Sequence, residues 1–336
     1  MAADAEILEI AGHDVRISNP DKVFFSRRGE TKLDLVRFYL DLGDALMSAV
    51  GGRPTMLQRF PDGAGGKSFY QKRVPANPPE WMQTTTVATV NGTTSNALVL
   101  ADLAHVAWAV NLGCLGFHTW PYTVVDPGHA DELRIDLDPH GGVAFGAVRD
   151  AAMEVRALLD EVGVVGWPKT TGSKGIHVVI RLRPRWTSYE VRSAAVAVAR
   201  ELERRRPDLI TAAWWKEERG KRVFVDFNQN APHKTVFAPW SVRARVGAQV
   251  STPLRWDEVP DVDAEELTLP VVAALYAERG DPWAGIGDGP QSLEPLLEMH
   301  ERDRADGLMD APWPPQYPKM PDEPPRVAPS RAKTEE

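Results

Sequence analysis

Arg134-Ile135-Asp136-Leu137-Asp138-Pro139 decides how the whole chain is read. In an extended strand, residues two apart point to the same face. Asp136 and Asp138 therefore share one face, and Ile135 and Leu137 take the other, against a core. Two neighbouring carboxylates repel and raise each other's pKa unless something neutralises them. A divalent cation does so with oxygen ligands, and Mg²⁺ or Mn²⁺ suits carboxylates together with phosphate. Read alone, the same six residues also describe a strand end with two solvated acids before a proline turn.

Strand-like runs at 133–137, 177–182 and 222–227 lie in sequence with helical patterns at 144–162 and 189–205. That β-α-β-α-β succession implies a sheet with helices packed on it. Val223-Phe224-Val225-Asp226-Phe227 places an acid inside an otherwise apolar strand, where a buried carboxylate is costly unless paired or metal-bound. Asp136, Asp138 and Asp226 together suit a two-metal site.

Lys169-Thr170-Thr171-Gly172-Ser173-Lys174-Gly175-Ile176-His177 is not a Walker A loop. It still holds what a triphosphate needs. Glycines admit backbone amides to phosphate oxygens, Thr171 and Ser173 offer hydroxyls, and Lys174 supplies charge. Arg219 precedes the Asp226 run and Arg243 follows the turn at Pro239-Trp240. Each residue alone also reads as ordinary polar surface, and His177 alone as a structural histidine.

Upstream, Thr31 and Asp34 stand in a capping-box relation and open a helix expected over 31–50, with Leu35, Phe38, Leu42 and Leu46 on its apolar side. Residues 7–17 read as short β runs around Gly12. Residues 55–75 read as strand, Gly-rich turn and strand, and 98–113 as a helix. Arg204, Arg205 and Arg206 read as a solvated helix end, where positive charge is favoured. From Ala311 onward the chain is proline-rich. It is expected to wrap the surface in extended form and to fray after about Pro325.

The chain has 336 residues, 43% of them hydrophobic and 26% charged, enough to bury a real core. The single cysteine, Cys114, excludes an internal disulfide framework and a multi-cysteine metal site. It fits a reducing cytoplasm. Residues 1–20 lack the apolar core of a signal peptide. The apolar stretch 97–120 is broken by Asp102, His105 and Asn111, so it reads as a buried helix rather than a membrane span of ~20 apolar residues. The net charge of -8 argues against a uniformly basic surface but leaves room for a local basic groove. Lys22, Arg27, Arg28, Lys32 and Arg37 form one such cluster in the sequence. No Lys-x-Asp-Gly adenylation motif occurs, because Arg59-Phe60-Pro61-Asp62-Gly63 lacks the lysine. A covalent ligase-type nucleotidyl intermediate is therefore not expected.

Asn19-Pro20-Asp21-Lys22, Arg59 to Gly63, Ser68-Phe69-Tyr70-Gln71-Lys72, His118-Thr119-Trp120, Asp136 to Pro139, Thr171 to His177 and Asp226 stand in the chain in that order. Jointly they resemble the motifs of the polymerase domain of bacterial ligase D, in the archaeo-eukaryotic primase superfamily, across about residues 10–325. No counterpart of the family's ligase and phosphoesterase modules is expected within these residues.

The resemblance implies an α+β fold of two sheets with flanking helices. An N-terminal lobe over 1–120 would carry the 5′-phosphate and template contacts. A catalytic lobe over 121–290 would be built like an RNA-recognition motif, and 291–336 would be a C-terminal wrap and tail. The active site would lie between the sheets. The resemblance further implies that Asp136, Asp138 and Asp226 ligate two metals. Thr171, Ser173, Lys174, His177, Arg219 and Arg243 would hold the incoming nucleotide's phosphates, with His118 near its sugar. Lys22 and Lys32 would grip a 5′-phosphate across a gap. Phe69 and Tyr70 would stack on a template base, Tyr70 standing where the family often has phenylalanine.

The implied reaction is templated addition of ribo- or deoxynucleoside triphosphates to DNA 3′ ends at gaps or breaks. It would use Mn²⁺ or Mg²⁺, inside a bacterial cytoplasm at the nucleoid, alongside a separate ATP-dependent DNA ligase and an end-binding protein. No membrane partner is expected. A two-metal nuclease or phosphodiesterase would share the three acids but has no use for a triphosphate cradle. A non-catalytic DNA-end-binding module would gain nothing from carboxylates facing phosphates.

Overall fold

The computed structural model describes residues 5–331. A hairpin of β1 (Ala5–Ile10) and β2 (His13–Ser18) comes first, then helix α1 (Lys32–Val50). Strands β3 (Pro54–Arg59), β4 (Phe69–Gln71), β5 (Thr84–Ala88) and β6 (Thr94–Val99) lead to α2 (Leu103–Asn111) and β7 (Cys114–Thr119). The second half runs β8 (Ala130–Pro139), α3 (Phe145–Glu161), β9 (Trp167–Thr170), β10 (Ile176–Trp186), α4 (Ser188–Arg205), β11 (Ile210–Thr211), β12 (Val223–Val225), β13 (Val236–Phe237), α5 (Leu269–Arg279) and α6 (Glu294–Ala305).

The first large sheet has the order β13-β7-β3-β6-β5, with β4 paired to β3. The second has the order β11-β12-β8-β10-β9. Within it, β8-α3-β9-β10-α4-β12 is the β-α-β-β-α-β arrangement, antiparallel throughout, with β11 added in parallel at one edge. The chain is thus α+β with two principal sheets. The sheets are linked in both directions, since β13 from the second half closes the edge of the first sheet against β7. One continuous hydrophobic cluster runs from Ile10 and α1 through β8 and α4 to α6.

Local chemistry explains most boundaries. The Thr31–Asp34 capping box is formed in both directions, with Asp34 N–H to Thr31 Oγ1 at 3.2 Å and Thr31 N–H to Asp34 Oδ2 at 2.8 Å. Leu35, Phe38, Leu42 and Leu46 are buried, as their helical spacing predicts, although Gly43 (φ 49°) interrupts the helical backbone. The helix expected from 98 begins only at Leu103. Leu98 and Val99 belong to β6, and Asp102 caps the helix by accepting from Ala104 and His105. The strand β9 has no counterpart in the sequence reading. It is four residues long and contains Pro168, which an edge strand tolerates.

The proline-rich tail follows the surface but is anchored by a small core of its own, with Trp313 and Tyr317 buried against Ala231. Its order continues past Pro325. Arg326 bonds to Glu323 and to the Tyr317 carbonyl, and Ser330 N–H reaches Glu217 Oε1 at 3.1 Å. Arg204, Arg205 and Arg206 carry ion pairs from α4 to Asp303, Glu161 and Glu154 rather than facing water alone. Among the described residues, no helix is long and apolar enough to cross a membrane.

Candidate active site

The register of the second sheet assembles the site. Asp136 on β8 pairs with His177 on β10, and His177 pairs with Lys169 on β9. Lys169, His177 and Asp136 therefore form a row across three strands on one face, with Asp138 two residues along. Ile135 and Leu137 turn the other way and are buried in the core. β12 ends at Val225, one residue before the acid that the sequence reading placed inside the strand. Asp226 instead caps a 3-10 turn, Phe227–Asn230, accepting from Asn228 N–H at 3.1 Å and Gln229 Nε2 at 2.9 Å. Its own N–H donates to the Asp136 carbonyl at 2.8 Å, which fixes the two acids side by side.

Carboxylate oxygens of Asp136, Asp138 and Asp226 lie within 4.8 Å of one another. Asp136 is buried, and its Oδ1 accepts no hydrogen bond, although His177 Nε2 stands 3.0 Å away. Burial pushes the Asp136 carboxyl up to about 7, against the pull of the Lys169 and Arg243 charges. Burial, with the Asp136 and Asp226 charges beside it, pushes Asp138 up to about 7 as well. Asp226 rises to about 6 from burial and from Asp136. An orphaned buried oxygen within an oxygen-only cluster that resists ionising fits a hard divalent cation.

A cavity of about 550 Å³ opens over Asp136 and Asp138. His118, Asp136, Asp138, Thr171, Ser173, Lys174, His177, Arg219 and Arg243 all line it, so the structure brings most of the sequence-predicted residues together. The phosphate-loop candidate is the β9–β10 hairpin turn. Thr170 pairs with Ile176, Thr171 N–H donates to the Gly175 carbonyl at 3.0 Å, and Gly175 N–H donates to Thr171 Oγ1 at 3.2 Å. Gly172 has φ +66°, and a Cβ there would meet Arg243 Cγ at 2.9 Å.

The two arginines are held in place before any ligand arrives. Arg219 stacks 3.4 Å over Phe224 and donates to the carbonyls of Ala213 and Trp214 at 3.0 and 2.8 Å. Arg243 stacks 3.5 Å over Phe237 and donates to the Thr171 carbonyl at 2.8 Å. Burial lowers Arg243 to about 10, with Arg245 adding to the effect.

The first sheet supplies the opposite wall. His118 on β7 sits between Tyr70 (5.4 Å) and Phe237 (5.2 Å), both edge-on. Its Nε2 is buried without a partner. Burial, then the Arg243 and Lys169 charges, lowers it to about 3, so the ring is neutral.

Phe69 and Tyr70 are consecutive on β4 and exposed, and strand alternation sends them to opposite faces. Tyr70 meets His118, while Phe69 lies under the Arg59 guanidinium at 5.1 Å. Lys22 and Lys32 lie outside the cavity lining, between β2 and the first residue of α1. They are joined through Lys32 N–H to the Lys22 carbonyl at 2.9 Å. Lys22 Nζ donates to the Pro61 carbonyl at 2.7 Å, which packs the Asn19–Lys22 and Arg59–Gly63 motifs together. Lys32 is buried, with Nζ on the Ser18 and Asn111 carbonyls. Burial and Lys22 lower it to about 8. Arg28 and Arg37 of the basic cluster are already paired, with Glu30 and Glu6.

Three contributors had no assigned role in the sequence reading. Lys169 is fully buried behind the acids, its Nζ donating to Ser251 Oγ at 2.6 Å. Gln229 stands three residues after Asp226, the spacing of one helical turn, which is the one local hint of its contact. Arg245 lines the cavity two residues beyond Arg243.

Clustered carboxylates facing pre-positioned arginines across an open cavity, between two sheets, define a metal-competent site for a polyanionic ligand. A family model for the LigD primase-polymerase domain matches residues 31–283. The multifunctional non-homologous end joining protein LigD of Mycolicibacterium smegmatis is 31% identical over 307 residues, covering 91% of this chain and 40% of that protein. The bifunctional LigD of Bacillus subtilis is 29% identical over 284 residues, covering 84% of this chain and 45% of its own length. The polymerase domain of Mycobacterium tuberculosis ligase D, solved in complex with DNA, matches with a TM-score of 0.76 at 30% identity, covering 82% of this chain and 98% of that one. The chain belongs to the LigD primase-polymerase domain family. It spans less than half the length of these two LigD proteins.

Proposed function

We propose that the chain is a divalent-metal-dependent nucleotidyltransferase that extends DNA 3′ ends at gaps and breaks during end joining. The observation that carries this reading is the single cavity where Asp136 and Asp138, clustered with Asp226, face Arg219, Arg243 and the 171–177 hairpin.

Thr171, Ser173, Lys174, Arg219 and Arg243 bind the triphosphate. The carbonyl and ring contacts of the two arginines hold their charge in position, so little conformational entropy is lost on binding. His118 offers its unpartnered Nε2 to a sugar hydroxyl. His177, which lines the same cavity 3.0 Å from Asp136, completes the phosphate-binding set. Asp136, Asp138 and Asp226 would hold the metals. Bound divalent ions supply charge neutralisation for the triphosphate and a lowered pKa for the attacking 3′ hydroxyl. The bond from the primer O3′ to the α-phosphorus forms as the bond to pyrophosphate breaks.

On the first lobe, Lys22 and Lys32 bind the downstream 5′-phosphate, and the β4 aromatics contact template bases, for which stacking is worth roughly 1–3 kcal/mol per base. Mn²⁺ as preferred ion, ready use of ribonucleotides, the partnership with a ligase and an end-binding protein, and a cytoplasmic, nucleoid-associated setting belong to this reading.

The test is extension of a primer across a short gap bearing a downstream 5′-phosphate, with Mn²⁺ and ribo- or deoxynucleotides. Native protein is compared with Asp136→Ala/Asp138→Ala. Templated addition with pyrophosphate release, lost in the double variant, supports the proposal. Primer shortening without nucleoside triphosphate would move the site to a nuclease, and folded native protein without activity on any end would sink the polymerase reading.

A further inference from the structure

Residues 309–326 form a strap beyond the stretch matched by the family model, and its inner side is tied to the active centre. The tie is Arg192 on α4, fully buried at 0% exposure. Its Nη1 donates to Asp310 Oδ1 and Oδ2 at 3.0 and 3.3 Å. Its Nη2 donates to the Ala311 and Pro312 carbonyls at 2.8 and 3.2 Å. The Trp313 ring lies 3.9 Å from the guanidinium. Every one of these partners belongs to the strap.

The remaining donor points elsewhere. Arg192 Nε donates to Asn228 Oδ1 at 2.7 Å, and Asn228 Nδ2 donates to the Pro312 carbonyl at 3.0 Å. The same Asn228 gives its backbone N–H to Asp226 Oδ1 at 3.1 Å. A chain of hydrogen bonds therefore runs from the strap through Arg192 and Asn228 to one of the three clustered carboxylates.

Burying a guanidinium is costly even when it is paired, and apolar contacts would fix the strap to α4 equally well. What the guanidinium adds is direction. Its planar fork fixes Asp310, two carbonyls and Asn228 relative to one another. The Asn228 side chain is thereby held from both sides, by Arg192 and by the strap, while its backbone N–H holds the Asp226 carboxylate.

We infer that Arg192 and the strap are positioning elements of the metal site, setting the orientation of Asp226 from outside the cavity. The inference rests on the reading that the three acids bind a divalent cation. Groups that orient a ligating carboxylate typically change metal affinity by about 10–100-fold when removed.

The measurement is direct Mn²⁺ binding by titration calorimetry, on the full chain without DNA or nucleotide, alongside a thermal melt. Native protein is compared with Arg192→Lys and Trp313→Leu. Arg192→Lys keeps the charge but loses the fork, and Trp313→Leu leaves Arg192 in place but removes its cover. The expected result is Mn²⁺ binding weakened on the order of tenfold by Arg192→Lys, and in the same direction by Trp313→Leu. A variant that stays folded at the assay temperature decides the matter alone. Native-like Mn²⁺ affinity in a folded variant, whatever its melting temperature, overturns the inference while leaving the metal site intact. Absence of Mn²⁺ binding by the native protein overturns the metal reading, and the inference with it.

Discussion

Replacing Asp136 with asparagine is expected to stabilise the metal-free protein while abolishing nucleotide addition. Asp136 is 6% exposed, and its Oδ1 accepts no hydrogen bond. Its carboxyl is raised from the usual 3.8 to about 7, chiefly by burial. A carboxyl raised in this way holds its proton more tightly in the folded state than in the unfolded chain. Folding therefore gains on acidification, and it loses stability as pH climbs from 3.8 to about 7.

At about 1.36 kcal/mol per pH unit, the ionised Asp136 costs the metal-free fold on the order of 4 kcal/mol above pH 7. Asparagine keeps the shape without the charge, but it leaves an amide to be satisfied, at about 1–3 kcal/mol. The net gain is then roughly 2 kcal/mol, or a melting temperature raised by about 4–8 °C at the roughly 2–4 °C per kcal/mol of sizeable domains.

The assay is a pair of thermal melts in chelator, at pH 8 and pH 5, repeated with Mn²⁺. The advantage of Asp136→Asn should appear at pH 8 and vanish at pH 5, where the native carboxyl is protonated. Mn²⁺ should raise the native melting temperature and leave the variant's nearly unchanged. A variant that melts below native protein at pH 8 in chelator, or one that keeps its advantage at pH 5, would refute the argument that the site stores unfavourable charge.

The parts legible in the sequence were those whose physics is local. The capping box of α1 needs only residues 31 and 34, and the shared face of Asp136 and Asp138 needs only strand alternation. Both are formed as read. Asp226 was placed inside a strand because Val223, Phe224 and Val225 are apolar. β12 ends one residue earlier because the Asp226 side chain can satisfy the free amide of Asn228, a competition between cap and ladder that an apolar run does not display. Leu98 and Val99 read as helix because they extend the apolar stretch of α2. The Asp102 cap marked the true start.

β9 carries no readable period, being four residues long with a proline among them. Yet its pairing to β10 turns the 171–175 segment into a hairpin aimed at the acids. Buried Lys169 was not legible as buried, since nothing near it in sequence announces Ser251, its partner 82 residues away. The roles expected of Arg219, Arg243 and His118 rest on resemblance, and the aromatic seats that hold the two arginines are purely tertiary.

Gly172→Ala should raise the KM for nucleoside triphosphate several-fold with a modest loss of stability. A φ of +66° costs a side chain about 1–2 kcal/mol, and the new Cβ would lie 2.9 Å from Arg243 Cγ. An unchanged KM would separate Arg243 from the phosphates. Lys22→Ala should weaken the preference for 5′-phosphorylated gaps without abolishing extension on open templates, and should flatten the salt dependence of gap binding by about 0.9 in log-log slope. Competition binding with phosphorylated and unphosphorylated gaps reads both effects. The slope is the sharper test, because Lys22 Nζ already donates to the Pro61 carbonyl and lies 3.5 Å from Asp62 Oδ1. A lysine engaged only in those internal contacts would leave the slope as it is, whereas one that also neutralises a phosphate must release a counterion on binding. If preference and slope both stay put, Lys22 does not grip the 5′-phosphate, and the role proposed for the Lys22–Lys32 pair falls with it.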